Sequence, residues 1–220
     1  MDPEYWHSKW RHNDLGFNQS EPNVLLQKFL ASIHLKGKKV LVPLCGKSID
    51  MLYLLDQGYA VIGVELNLVA CEALFHEHHL HAQKITIPSF TVLAKSEKNM
   101  TLFCGNFFDI TPQHLGHIDL VYDRAALIAL PIPLRLQYAQ HMLTLINNDS
   151  HMLLITTLFD QIQMQGPPFS VDEEEIRTLY SPELRVKQIF DRPISRIPEH
   201  LHKKGLQTAR EQAYWLKKEA

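Results

Sequence analysis

The sequence predicts an α/β fold, an alternating strand–helix sheet with helices on both faces, from three observations. An apolar run, Val40 to Leu44, breaks at Gly46 and gives way to helical spacing at Ile49, Leu52 and Leu55. A second apolar run, Tyr59 to Val64, ends on Glu65 about 20 residues beyond Gly46. The stretch from His151 to Phe159 is continuously apolar, as expected of a strand buried on both faces. In open sheets of this kind a nucleotide-like ligand sits outside the carboxyl end of the first strand, and a carboxylate ending the second bonds ribose hydroxyls. A tight glycine turn followed by Glu65 therefore points to an adenosine-type cofactor.

Composition narrows the class. At 220 residues and 45% hydrophobic content the chain can bury a full core as one domain, residues 1–220, with a helical arm over 1–36 and an α/β core over 37–220. A net charge of -2 without a basic stripe or acidic tail gives no footing for nucleic acid or a membrane surface. Cys45, Cys71 and Cys104 lie at irregular spacing in apolar segments and read as buried free thiols of a reducing compartment. With neither a signal sequence nor a membrane-length apolar run, the expected location is the cytoplasm.

Along the chain, Trp6 and Trp10 are four residues apart and share a face if helical. They read either as a pair packed on the core or as an arm closing over a ligand. Gly16 and Asn18 turn the chain around Phe17, and Val24 to Ile33 has helical spacing. Leu66 to Leu80 reads as a helix ending in His76, His78, His79 and His81. Without a carboxylate or thiolate at a ligand spacing, these histidines fit a solvated helix end, and no metal is expected. Ile85 to Ala94 and Met100 to Cys104 are strand-like segments joined by a polar turn. Gly105-Asn106-Phe107 follows, either a plain turn or an adenine contact in which Asn106 bonds the base edge and Phe107 stacks on it.

The next strand, Ile118 to Tyr122, leads to Asp123-Arg124 and a helix beginning at Ala125. Asp123 suits an N-cap. Arg124 would oppose the helix dipole there, so it needs either an acidic partner or a ligand. Pro131 and Pro133 punctuate the passage to a longer helix through Ile146, and Gly166-Pro167-Pro168-Phe169 forms a stiff loop. A helix from Asp172 to Tyr180 and closing strands at Leu184 to Ile189 and Ala213 to Leu216 complete the sheet, with Pro193 to Gly205 as a surface loop. A nicotinamide-dependent oxidoreductase would carry three glycines in its first turn, and here there is only Gly46.

Val42-Pro43-Leu44-Cys45-Gly46-Lys47 with Asp50-Met51, then Gly63-Val64-Glu65, Tyr122-Asp123-Arg124-Ala125-Ala126-Leu127 and Gly166-Pro167-Pro168-Phe169 closely resemble the thiopurine S-methyltransferase family. The resemblance runs from Trp6 to the final strand. It implies a Rossmann-like class I S-adenosylmethionine-dependent methyltransferase, a mostly parallel seven-stranded sheet with an antiparallel C-terminal strand. It also implies S-adenosylmethionine as cofactor and monomeric methylation of a small aromatic or heterocyclic thiol, or of selenium or tellurium compounds. Matching motifs put cofactor contacts at Trp6, Trp10, Leu44, Gly46, Glu65, Asn106, Phe107 and Arg124. Phe17, Arg124 and Arg196 fall on the substrate side, and Arg124 and Asp123 are the catalytic candidates. Two positions depart from relatives: Asn18 stands where some carry histidine, and His200 where an arginine is found, with Arg196 nearby. A binding module without catalysis is the other alternative, against which the intact Arg124 and Phe17 stand.

Overall fold

The computed structural model of the chain describes residues 3–12, 16, 18–33, 35, 37–95, 99–181 and 183–218. They form two compact units, divided in sequence between Leu120 and Val121.

The first unit opens with two helices, α1 (Pro3–Arg11) and α2 (Val24–Leu30). Asn23 caps α2, its Oδ1 accepting from the N–H groups of Leu25 and Leu26 at 2.9 and 3.3 Å. The N–H of Asn23 donates to buried Asp50 at 2.7 Å and so pins α2 to the start of α3. There follow β1 (Lys39–Pro43), α3 (Asp50–Asp56), β2 (Ala60–Glu65), α4 (Leu68–Glu77), β3 (Gln83–Ile87), β4 (Phe90–Lys95), β5 (Met100–Cys104) and α5 (Pro112–Leu115). The strands lie in the order β3-β4-β5-β2-β1. β1, β2 and β5 are parallel, and both β1 and β2 are buried along almost their whole length rather than in alternation. β2 approaches its neighbours closely because Gly63 has no side chain: a Cβ there would stand 2.4 Å from Leu102 Cδ2 and 2.8 Å from Cys45 Sγ.

The second unit contains β6 (Leu120–Arg124), α6 (Ile132–Leu145), β7 (His151–Leu158), α7 (Glu173–Tyr180), β8 (Arg185–Pro193), α8 (Glu199–His202) and β9 (Arg210–Lys217), with strand order β6-β7-β9-β8. The C-terminal strand β9 is antiparallel to both β7 and β8, as expected. Phe159, Met164, Leu206 and Ala209 form a small apolar cluster under the loops that follow β7 and precede β9. No helix among the described residues is long and apolar enough to cross a membrane.

Four sequence expectations are corrected. The described residues carry nine strands rather than seven. The surplus pair is β3 and β4: Ile85 to Ala94 turns back on itself at Pro88-Ser89, Ser89 taking φ +65°, and both new strands pair antiparallel. β6 continues through Asp123 and Arg124 instead of yielding to a helix at Ala125. A short helix, α8, interrupts the loop expected from Pro193 to Gly205. Finally, Cys71 and Cys104 are not separate thiols but a disulfide pair with Cα atoms 6.6 Å apart, because α4 lies against β5; Cys45 alone is free.

Candidate active site

In the first unit the carboxyl ends of β1, β2 and β5 come side by side, since these strands are parallel neighbours. Beyond β1 the chain takes the left-handed conformation twice, at Leu44 (φ +45°) and at Gly46 (φ +54°). Glycine adopts it freely, whereas Leu44 must be held there by its surroundings. The holding bonds come from β2: the Cys45 N–H donates to the Val64 carbonyl at 3.1 Å, and the Gly46 N–H to Glu65 Oε2 at 2.8 Å. Glu65 Oε1 accepts from the Asn67 N–H at 2.8 Å. Burial pushes the Glu65 carboxyl up, and the N–H groups of Asn67, Gly46 and Leu66 pull it back toward the ionised form. Each carboxylate oxygen keeps acceptor capacity for a hydroxyl donor.

The arm reaches this turn. Trp10 is buried at 6% exposure, with its indole 3.4 Å from where a Gly46 Cβ would lie. His7 Nδ1 is 3.1 Å from the side-chain nitrogen of Asn67, the residue that caps α4. Trp6 is half-buried, edge-on to Tyr5 at 5.2 Å. Of the two alternatives for the tryptophans, Trp10 therefore packs on the glycine turn itself. The chain after β5 is tied in by the Gly105 N–H, which donates to the Glu65 carbonyl at 2.9 Å. Asn106 is exposed and accepts from the Phe108 N–H at 3.2 Å, while Phe107 is buried at 6% in a single 3-10 turn. Leu44, Gly46, Glu65, Trp10 and the 105–107 segment are thus brought to one edge. Cys45 lies there too, but burial and the Glu65 charge push its thiol well up, so at neutral pH it is no nucleophile.

In the second unit, Asp123 is fully buried at the end of β6. Its Oδ1 accepts from the Leu127 N–H at 3.1 Å and its Oδ2 from the Tyr138 hydroxyl at 2.7 Å. Burial pushes its carboxyl up to about 6 against these bonds. What it fastens is a tight corner, with Ala125 at φ +64° and a 3-10 turn over Leu127–Ala129 whose N-cap is Ala126. Asp123 therefore does the work of a cap from within the strand. Arg124, half-buried, ends β6 and does not stand at a helix N-terminus, so the dipole conflict drawn from the sequence does not arise. Its charge is felt by Glu211 on β9, whose carboxyl is raised by burial and lowered by Arg124.

Arg135 is a residue that the sequence pattern does not single out. It is 1% exposed on α6, yet its Nε donates to the Leu130 carbonyl at 2.8 Å and one terminal nitrogen to the Ser170 carbonyl at 3.2 Å and to Glu175 at 2.5 Å. The guanidinium also lies over the Phe169 ring at 5.5 Å, and the Phe169 N–H donates to the Ile128 carbonyl at 2.7 Å. The Pro167-Pro168-Phe169 loop is thereby fixed to the segment that follows Arg124. Arg196 is exposed in the bend before α8, and His200 is half-buried on α8. Phe17 lies outside the described residues. Among the described residues no three His, Cys, Asp or Glu side chains are grouped to hold a metal ion.

Solved structures share the fold. A SAM-dependent methyltransferase from Anabaena variabilis aligns over 100% of this chain and 96% of its own with a TM-score of 0.63 at 15% identity. The 1,6-didemethyltoxoflavin-N1-methyltransferase of Burkholderia thailandensis, solved with S-adenosylhomocysteine, aligns over 99% of this chain and 87% of its own with a TM-score of 0.62 at 14% identity. The fold is the Rossmann-like class I methyltransferase fold. In sequence, the thiopurine S-methyltransferase of Methylococcus capsulatus is 39% identical over 100% of this chain and 99% of its own length. That of Vibrio cholerae is 39% identical over 99% and 98%. The pattern of the thiopurine S-methyltransferase family matches residues 1–219, and the chain belongs to that family.

Proposed function

We propose that the chain, as one methyltransferase domain over residues 1–220, transfers a methyl group from S-adenosylmethionine to the sulfur of an aromatic or heterocyclic thiol. Selenium and tellurium analogues would be accepted through the same soft-nucleophile chemistry. Membership of the family supports this, and the observation that carries it is the buried Glu65 carboxylate bonded to the Gly46 N–H, with Trp10 packed on the same turn. These residues fit the cofactor: an ionised acceptor suits a ribose diol, and a turn with one glycine suits a ligand lacking a pyrophosphate.

S-adenosylmethionine supplies a methyl group made electrophilic by its sulfonium. Glu65 would hold the ribose hydroxyls, the turn from Leu44 to Gly46 would follow the amino-acid portion, and Asn106 and Phe107 would serve the adenine. Trp6 and Trp10 exclude water. On the acceptor side, Arg124 favours the thiolate and orients it, with Phe17 and Arg196 as further contacts. The S–H proton leaves to solvent, as the acidity of a heteroaromatic thiol allows, the sulfur forms the new S–CH3 bond, and the sulfonium C–S bond breaks with its electron pair returning to sulfur. Alignment of this kind supplies on the order of 7–11 kcal/mol. Asp123, with no exposure, keeps the Arg124 corner in place through its bonds from Leu127 and Tyr138 instead of taking the proton. We take it to act as a cytoplasmic monomer, and the balanced charge supports small-molecule substrates rather than nucleic-acid or membrane partners.

The test is thermal shift with S-adenosylmethionine, S-adenosylhomocysteine and a nicotinamide cofactor, followed by mass spectrometry of thiol acceptors. Ligand at about 100 times its Kd should add ~2.7 kcal/mol. Stabilisation by the nicotinamide alone would refute the proposal, and stabilisation by S-adenosylmethionine without methylation of any thiol would make the chain a binding module.

A further inference from the structure

α1 carries His7 and Trp10 three residues apart, on one face of the helix. Trp10 packs on Gly46, and His7 Nδ1 stands 3.1 Å from the side-chain nitrogen of Asn67. Gly46 and Asn67 in turn donate their N–H groups to the Glu65 carboxylate, one to each oxygen. A single face of α1 therefore spans two supports of that carboxylate. The direction of the His7 bond follows from the cap of α4. Asn67 is 5% exposed, and its Oδ1 accepts from the Val69 N–H at 2.9 Å. Turning the amide over would set its NH2 group against that N–H, donor against donor. The amide nitrogen is then what faces His7, and it can only donate. His7 Nδ1 is the acceptor, and the hydrogen of the neutral ring lies on Nε2.

We propose that His7 is a positioning residue of the cofactor site: by accepting from Asn67 it latches α1 across Gly46 and Asn67, and so holds Trp10 against the glycine turn. This rests on the methyltransferase reading above, in which Glu65 and that turn receive S-adenosylmethionine. In this role His7 acts through Asn67 and Trp10 and takes no part in methyl transfer. Its contribution is to the population of molecules with the arm in place, and apparent affinity falls in proportion to that fraction. What the latch needs at this position is an acceptor, not bulk.

The experiment reads the latch in two ways. Hydrogen exchange of the ligand-free protein follows the α1 amides, and calorimetry measures the Kd of S-adenosylhomocysteine. Asparagine presents an acceptor oxygen near the place of Nδ1, whereas leucine fills similar space without one. His7→Leu should speed α1 exchange and weaken binding by about tenfold, as expected for one hydrogen bond, and His7→Asn should stay within about twofold of wild type in both. Asn67→Ser keeps a cap oxygen for the Val69 N–H but lacks the amide donor, so in that background His7→Leu should add no further loss. Wild-type behaviour of His7→Leu overturns the proposal. So does His7→Asn behaving like His7→Leu, or losses that multiply in the double variant. If the wild-type protein binds neither S-adenosylmethionine nor S-adenosylhomocysteine while α1 exchange still responds as expected, it is the methyltransferase reading that fails and not the latch.

Discussion

Replacing Arg135 with methionine keeps the length of the side chain and removes its donors. Three acceptors then lose their partner: the Leu130 carbonyl at 2.8 Å, the Ser170 carbonyl at 3.2 Å and the Glu175 carboxylate at 2.5 Å. An acceptor left unsatisfied in the interior costs about 1–3 kcal/mol, and breaking a buried ion pair from one side costs about 3–5 kcal/mol. The Glu175 side chain is 26% exposed and regains some water, whereas that of Arg135 is 2% exposed. The net loss should be about 3–5 kcal/mol, lowering Tm by ~10 °C at about 2–4 °C per kcal/mol. Urea unfolding followed by far-UV circular dichroism measures it. Adding Glu175→Gln removes the stranded charge, so the double variant should recover ~1–3 kcal/mol relative to the sum of the singles. In steady-state assays Arg135→Met should raise KM for the acceptor while leaving S-adenosylmethionine affinity alone, because the loop it fixes belongs to the second unit. A loss below ~1 kcal/mol, or strict additivity with Glu175→Gln, would refute the assignment of Arg135 as the anchor of this loop.

Glu65→Gln exchanges one acceptor oxygen for a donor facing the Gly46 or Asn67 N–H; calorimetry should show S-adenosylmethionine binding weakened by about 10–100-fold, from ~1.5–3 kcal/mol per charged hydrogen bond. Asp123 in the fold binds its proton up to about 6, above its ordinary value of 3.8. Between those limits the native state holds more protons than the unfolded one, so raising the pH through this window removes stability, by ~3 kcal/mol. Asp123→Asn does not titrate, and its stability relative to wild type should rise between pH 4 and 7; a difference that stays flat with pH would exclude the raised carboxyl. Gly63→Ala puts a methyl group 2.4 Å from Leu102 Cδ2 and should cost about 1–3 kcal/mol in thermal unfolding.

What could be read from the sequence follows from how local each cause is. β1, β2 and β7 are legible because burial on both faces leaves apolar runs, and Glu65 because its distance from Gly46 is set by one strand–helix–strand unit. The β3–β4 turn was hidden by a two-residue signal, Pro88-Ser89, inside an otherwise strand-like run. Asp123 looked like a helix cap because a carboxylate that satisfies a corner four residues on has the same local sequence as one that begins a helix. Arg135 was invisible: an arginine on a helix ordinarily faces water, and two of its partners lie 35 and 40 residues away. The pairing of Cys71 with Cys104 spans 33 residues and depends on α4 lying over β5, which spacing alone does not encode.

The Glu65 carboxylate draws its solvation from the amides of Gly46 and Asn67 rather than from bulk water. The charge is therefore desolvated and oriented during folding, at the expense of fold stability and not of binding free energy. A diol arriving at this carboxylate need not strip a hydration shell from it or freeze its rotamer, so more of the contact energy appears as affinity. By the same token, the turn that receives the cofactor and the anion that grips it are one hydrogen-bonded object, and a change that loosens either loosens both.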